Sequence, residues 1–121
     1  MASRYEEFAK FRQRMNETIL EQDNRVIKRM FSLDNLAYRE GTRLPVSTKE
    51  MLGLVASLVL RCDDCVSYHI SKCLEAGISR DELFEAMSVG LVVGGTIVIP
   101  HLRRAVEFMD ELLEAEQSAA G

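Results

Sequence analysis

The stretch that decides the fold is residues 47–69, STKEMLGLVASLVLRCDDCVSYH. Its first half, 51–60, is apolar almost without interruption and shows no period of two, which favours a helix buried on most of its circumference over a strand. Ser47 and Glu50 have the spacing of a capping box. This stretch therefore predicts a helix that begins at Ser47 and ends near Arg61.

A second helix is predicted to begin near Cys62, because the second half of the stretch reads C-x-x-C-x-x-x-H. Positions i and i+3 are neighbours on a helix, so Cys62 and Cys65 fall within disulfide range, and His69 lies one turn beyond Cys65 on the same face. Glu50 stands upstream of Cys62 with eleven residues between them, about 18 Å of helical rise away. It can approach His69 only if the two helices form a tight hairpin or a neighbouring subunit supplies the contact.

The start of a helix is a favourable place for a reactive thiol. The unsatisfied N–H groups of the first turn stabilise a thiolate and lower its pKa. Asp63 and Asp64, between the cysteines, act in both directions: they favour the helix N-terminus and oppose formation of a thiolate beside them. Cys73 and His101 are further candidates, although a core cysteine and a helix-start histidine need no chemical role.

The rest of the chain also predicts helices. Phe8, Phe11, Met15 and Ile19 form one apolar stripe over a first helix, Ser3 to Glu21. The next helix along the chain, capped by Asp23 or Asn24, carries a stripe of Val26, Met30, Leu33 and Ala37 and stops within 41–45. Gly77 ends the helix that begins near Cys62.

Three more features complete the prediction towards the C-terminus. Ser79 and Glu82 repeat the capping-box spacing before a helix from Asp81 to about Val93, and Gly94 and Gly95 interrupt it. A last helix begins at Thr96 or near Pro100. We predict an all-α bundle of about six helices in one domain, 1–121, with an N-terminal helical extension, 1–35, and a frayed tail, 118–121.

Composition limits the possible functions. The chain has 121 residues, a net charge of −4 and a pI near 5.2, which argues against nucleic acid or an anionic membrane as the main partner. The N-terminus lacks the apolar core of a secretory signal, so we expect a cytoplasmic protein. In that reducing compartment a C-x-x-C pair indicates redox chemistry or metal binding more than a structural disulfide. The apolar segments 51–60 and 89–99 exceed what a small subunit hides alone and predict a homo-oligomer.

About 70 residues of the chain, from Leu36 to Ala105, resemble the carboxymuconolactone decarboxylase family, and within it the alkylhydroperoxidase D-like branch. The resemblance is carried by Lys49-Glu50, Arg61-Cys62, Cys65, His69, Glu75-Ala76-Gly77, Glu82, Glu85-Ala86 and Gly94-Gly95. It implies an all-helical subunit, a homotrimer or homohexamer, and thiol-dependent peroxidase or disulfide reductase activity without a cofactor. By resemblance, Cys65 attacks peroxide, Cys62 resolves the intermediate, and Glu50 with His69 relays protons. The implied partners are a peroxide, a lipoyl or thioredoxin-like reductant, and a peroxiredoxin.

Two other functions remain open on the sequence alone. The lactone decarboxylation for which the wider family is named needs acid/base groups and oxyanion donors, and the cysteine pair counts against it. A structural zinc module could use Cys62, Cys65 and His69 with Glu50, Cys73 or His101 as a fourth ligand. Structural zinc sites usually draw on two separated ligand pairs, whereas this chain has one. Glu50 could also serve only as the capping partner of Ser47.

Overall fold

The computed structural model describes residues 3–120, which fold into six α-helices and one short 3-10 helix and contain no strand. The predicted all-α fold is confirmed. The helices are α1 (Arg4–Glu21), α2 (Arg25–Ala37), α3 (Val46–Val59), α4 (Asp63–Glu75), α5 (Arg80–Gly94) and α6 (Ile99–Ala120), with the 3-10 helix at Thr96–Val98. No helix in this part of the chain is long and apolar enough to cross a membrane.

Helices α3 and α4 form a tight hairpin at the centre of the subunit. The turn between them is closed by two backbone hydrogen bonds of 3.0 Å, from the N–H of Arg61 to Leu58 and from the N–H of Cys62 to Ser57. Arg61 adopts a left-handed φ of 61°, as this type of helix stop requires. α5 and α6 pack against the hairpin around one core. Its buried apolar residues are Leu54, Leu58, Val66, Ile70, Cys73, Leu83, Met87, Val98, Ala105, Phe108 and Met109.

Most of the predicted helix boundaries are confirmed by side-chain and backbone contacts. Asn24 caps α2 by accepting a hydrogen bond from the N–H of Ile27. Ser79 and Glu82 form the complete capping box at the start of α5. Gly77, with a φ of 88°, provides the left-handed stop after α4, where a residue with a Cβ would be strained.

The predicted capping box at Ser47 is wrong. α3 begins at Val46, after Pro45, and has no side-chain cap. Glu50 instead lies on the inner face of α3, where it is buried. The same helix ends at Val59, two residues before the predicted end.

The C-terminal helix is longer than its sequence suggests. Thr96 begins the 3-10 turn, and Pro100 then occupies the first turn of α6, where its missing N–H costs no hydrogen bond. α6 continues to Ala120, so residues 118–120 of the predicted frayed tail are helical, and Gly121 lies outside the described residues. The division into a domain with an N-terminal extension, 1–35, stays a prediction.

Helix α2 lies at the edge of the subunit, and none of its residues is buried. The apolar stripe predicted for it faces solvent: Val26 is 76% exposed and Met30 62% exposed. A second exposed apolar surface, the α5 patch, is formed by Val89, Val92, Val93 and Ile97 at the end of α5 and in the following turn. The subunit therefore leaves two apolar surfaces uncovered.

Candidate functional site

The two cysteines lie together at the start of α4. Cys62 is the N-cap residue and Cys65 is the third residue of the helix, with 5.3 Å between their Cα atoms and a disulfide between their sulfurs. Sγ of Cys62 also accepts a hydrogen bond of 3.3 Å from the N–H of Cys65. Cys65 is exposed and Cys62 is half-buried, so the pair can be reached from solvent.

Below this pair, Glu50 and His69 meet inside the hairpin. Nδ1 of His69 lies 3.4 Å from Oε1 of Glu50, and the two residues are only 8% and 3% exposed. The tight hairpin, rather than a neighbouring subunit, brings them together. The contact is close but poorly directed, because Nδ1 of His69 and Oε2 of Glu50 have no hydrogen-bond partner among the described residues. The ring and the carboxyl group therefore have hydrogen-bonding capacity that no neighbour uses.

Burial disfavours the charged form of both groups. It raises the pKa of Glu50 to about 7, against the opposing effect of Lys72, with smaller increases from Asp34 and Glu75. Burial likewise lowers the pKa of His69, against the opposing charge of Asp34. At neutral pH an uncharged imidazole thus lies beside a carboxyl group that readily gains or loses a proton, which suits acid/base chemistry.

Three residues that the sequence did not single out enclose the His69 ring. Tyr38 and Tyr68 pack on it with ring centroids 5.3 and 5.4 Å away. Gly53 of α3 leaves room for the ring, since a Cβ there would lie 2.6 Å from Cε1 of His69 and would also overlap the hydroxyl of Tyr38. A glycine within an apolar helix is a known sign of close approach and could have indicated this position.

The two aspartates between the cysteines differ in their surroundings. Oδ1 of Asp63 lies 2.7 Å from Nδ1 of His101, and Nη1 of Arg104 donates a hydrogen bond of 3.2 Å to Oδ2 of Asp63. Asp64 is exposed. His101 thus contacts the residue next to Cys62 and does not join Glu50 and His69.

Cys73 lies in the core, where burial raises the pKa of its thiol to about 12. It is therefore protonated and unreactive at neutral pH. Within residues 3–120 no three histidine, cysteine or acidic side chains are arranged to hold a metal ion. Since the sulfurs of Cys62 and Cys65 are joined to each other, the pair would have to be reduced before either could bind zinc.

A cleft of about 610 Å³ lies on the other side of Glu50, between α2, α3 and α4. It is lined by Asp34, Asn35, Tyr38, Arg39, Glu40, Pro45, Val46, Ser47, Glu50, Tyr68, Lys72, Glu75 and Ala76. The cysteines do not line it. Glu50 thus lines a cleft that opens to solvent and that the sulfurs of Cys62 and Cys65 do not reach.

Comparison with known families agrees with this arrangement. The sequence model of the carboxymuconolactone decarboxylase family matches residues 24–108, most of the chain. The chain belongs to this family. The match begins at the cap of α2 and includes both cysteines, Glu50 and His69.

Solved structures of family members have the same fold. Two crystal structures of a protein from Thermotoga maritima are similar, at 53% and 50% sequence identity, with TM-scores of 0.90 and 0.88. They cover 94% and 95% of this chain and 99% and 97% of theirs. One of them is described as a family protein with a suggested involvement in the antioxidative response.

More distant relatives add little about function. An apo structure of a family member from Legionella pneumophila has a TM-score of 0.81 at 19% identity, covering 91% of this chain and 97% of its own, which supports the fold alone. An uncharacterised protein of Cupriavidus necator is 29% identical over 69 residues, 57% of this chain. The chain spans 61% of that relative's length.

The pH dependence of stability tests the burial of Glu50. A carboxyl group with a pKa raised from 4.5 to about 7 on folding destabilises the protein progressively as the pH rises through that window. Glu50→Gln stays uncharged, so its stability relative to the native protein should increase by roughly 2 kcal/mol between pH 5 and pH 8. Urea unfolding at several pH values measures this difference.

The control is Glu85→Gln, which removes one negative charge from the exposed side of α5. A stability difference for Glu50→Gln that is independent of pH, or that falls as the pH rises, would show that Glu50 is hydrated in the folded protein.

Proposed function

We propose that this protein is a thiol-dependent peroxidase and disulfide oxidoreductase that cycles Cys62 and Cys65 between dithiol and disulfide. One observation carries the proposal: an accessible cysteine pair, already joined, stands at the start of a helix one turn from a buried acid/base pair. The antioxidative response suggested for the Thermotoga protein is consistent with it.

In the proposed cycle Cys65 is the attacking thiolate, since it is the more exposed sulfur and lies in the first turn of α4. Its sulfur attacks the terminal peroxide oxygen, the O–O bond breaks, and Cys65 becomes a sulfenic acid while an alkoxide leaves. The thiol of Cys62 then attacks this sulfur, which forms the disulfide and releases water. Two electrons from an external dithiol reduce the disulfide, and that dithiol leaves oxidised.

Glu50 and His69 are the proposed proton relay. His69, uncharged because it is buried, accepts the proton of the attacking thiol, and the leaving alkoxide then takes a proton from the relay. Glu50 exchanges protons with Nδ1 of His69, and its pKa near 7 allows transfer in either direction. The cleft lined by Glu50 gives the relay a route to solvent.

The proposed partners follow from this chemistry. The substrate is a hydroperoxide, and the reductant is a lipoyl or thioredoxin-like protein whose thiols reach the exposed Cys65; a peroxiredoxin disulfide is a further proposed partner. A cytoplasmic location, where such reductants are kept reduced, stays a prediction.

Peroxide consumption driven by dihydrolipoamide tests the proposal. Cys65→Ser should lose at least about 100-fold in rate because the nucleophile is absent, and Cys62→Ser should accumulate sulfenic acid and turn over slowly, because only the external dithiol can then reduce it. Cys73→Ala, which removes the buried third cysteine, should keep the native rate.

Two outcomes would reject the proposal: native turnover in both serine variants, or none in the native protein. Decarboxylation of carboxymuconolactone is assayed alongside, because that alternative reaction would use Glu50 and His69 without the sulfurs and would persist in both variants.

We also propose that the working form is a homo-oligomer. The α5 patch exposes Val92 at 85% and Val93 at 70%, and the apolar stripe of α2 is uncovered as well. Contiguous exposed apolar surface of this kind is costly in water and is typical of contacts between subunits. A trimer or hexamer buries both surfaces in a closed arrangement.

Light scattering measures the assembly directly. The native protein should have a mass at least three times that of the 13.7 kDa chain. Val92→Glu, which places a charge in the α5 patch, should lower the mass, whereas Ser118→Glu near the C-terminus should leave it unchanged. A native monomer at micromolar concentration would contradict the proposal.

A further inference from the structure

Asp63 raises an electrostatic problem for a reactive cysteine pair. It is the first residue of α4 and lies next to Cys62 and two residues from Cys65. When the disulfide is reduced and one thiol ionises, a second negative charge appears on a residue adjacent or nearly adjacent to Asp63 in the first turn of α4. Such repulsion raises the pKa of the thiol and lowers the thiolate fraction at neutral pH.

Two residues of α6 hold this carboxylate. Arg104 donates to Oδ2 of Asp63 at 3.2 Å, and Nδ1 of His101 lies 2.7 Å from Oδ1, so both carboxylate oxygens are engaged from the same side. The side chain of His101 is 20% exposed, whereas those of Asp63 and Arg104 are 41% and 50% exposed, so only the contact with His101 is partly shielded from water. The carboxylate is thereby directed towards α6.

We propose that Arg104 and His101 are positioning residues for the cysteine pair: both hold the Asp63 carboxylate towards α6, and the positive charge of Arg104 offsets the charge of Asp63 so that a thiolate can form. The inference rests on the proposed redox cycle of Cys62 and Cys65. It concerns ionisation of the reduced pair and therefore has a test that does not require peroxide turnover.

The other charged groups near the pair do not duplicate this role. Asp64, also on α4, adds negative charge but is exposed and screened by solvent. Arg61, in the turn before Cys62, has a left-handed backbone, and its side chain makes no hydrogen bond or ion pair with Asp63 or Asp64. Arg104 is thus the cation that the structure fixes against Asp63.

Alkylation of the reduced protein by iodoacetamide measures the thiolate fraction, since the thiolate displaces iodide and forms a C–S bond. The disulfide is first reduced with dithiothreitol, which leaves as its own cyclic disulfide, and peptide mapping assigns the label to Cys65. At pH 7 and low salt, Arg104→Gln should slow alkylation about three- to tenfold, and Asp63→Asn should accelerate it. Arg104→Lys, which keeps the positive charge, should restore most of the native rate.

A matched control removes a similar contact elsewhere. Arg80 holds Asp110 through two hydrogen bonds of 2.9 and 3.2 Å between α5 and α6, and Arg80→Gln should not change the alkylation rate. Arg104→Gln should slow alkylation less in the Asp63→Asn background than in the native protein, because the charge that Arg104 offsets is then absent.

Several outcomes would overturn the inference. One is a native alkylation rate in Arg104→Gln, whether or not its unfolding midpoint falls, since Arg104 would then only tie α4 to α6. Another is equal slowing by Arg80→Gln. If the alkylation rates change as expected but the protein has no peroxidase activity, the proposed function is rejected and this inference stands.

Discussion

The close packing of α3 against α4 is the constraint on which the rest of the structure depends. The three-residue turn between them, 60–62, forces the helices to run side by side, so Glu50 and His69 meet in the interior. Such a pair is costly to bury unless it stays uncharged, and burial shifts the pKa of each group in that direction. The same turn exposes Cys65 at the start of α4. One hairpin thus separates an accessible sulfur pair from an enclosed acid/base pair.

Much of this could be predicted from the sequence, because the relevant signals are local. Helix type follows from the spacing of apolar residues, and the start of α5 at Ser79 and the stop of α4 at Gly77 follow from residues that act within one turn. The proximity of Cys62 and Cys65 is also local, since i and i+3 on a helix are always neighbours. These features required no knowledge of how the helices pack.

What the sequence did not predict depends on packing between distant segments. Ser47 and Glu50 satisfy the capping-box spacing, but Pro45 starts α3 earlier and burial of Glu50 beside His69 replaces the cap. Tyr38, the C-cap residue of α2, packs on the ring of His69, and no local sequence pattern indicates this contact. His101 was a candidate for the acid/base site, yet it lies 38 positions from Asp63 and contacts that residue instead. The balance of charge around the cysteines therefore depends on contacts between helices that are distant in the sequence.

The most direct test of the buried pair is a proton NMR titration of the imidazole of His69, with His69→Gln used to assign its resonance. If the ring is enclosed by Tyr38, Tyr68 and Gly53 beside Glu50, its titration midpoint lies below 6.5, and it stays uncharged at neutral pH. A midpoint at or above 6.5 would place the ring in water or beside a charged carboxylate and would contradict the account.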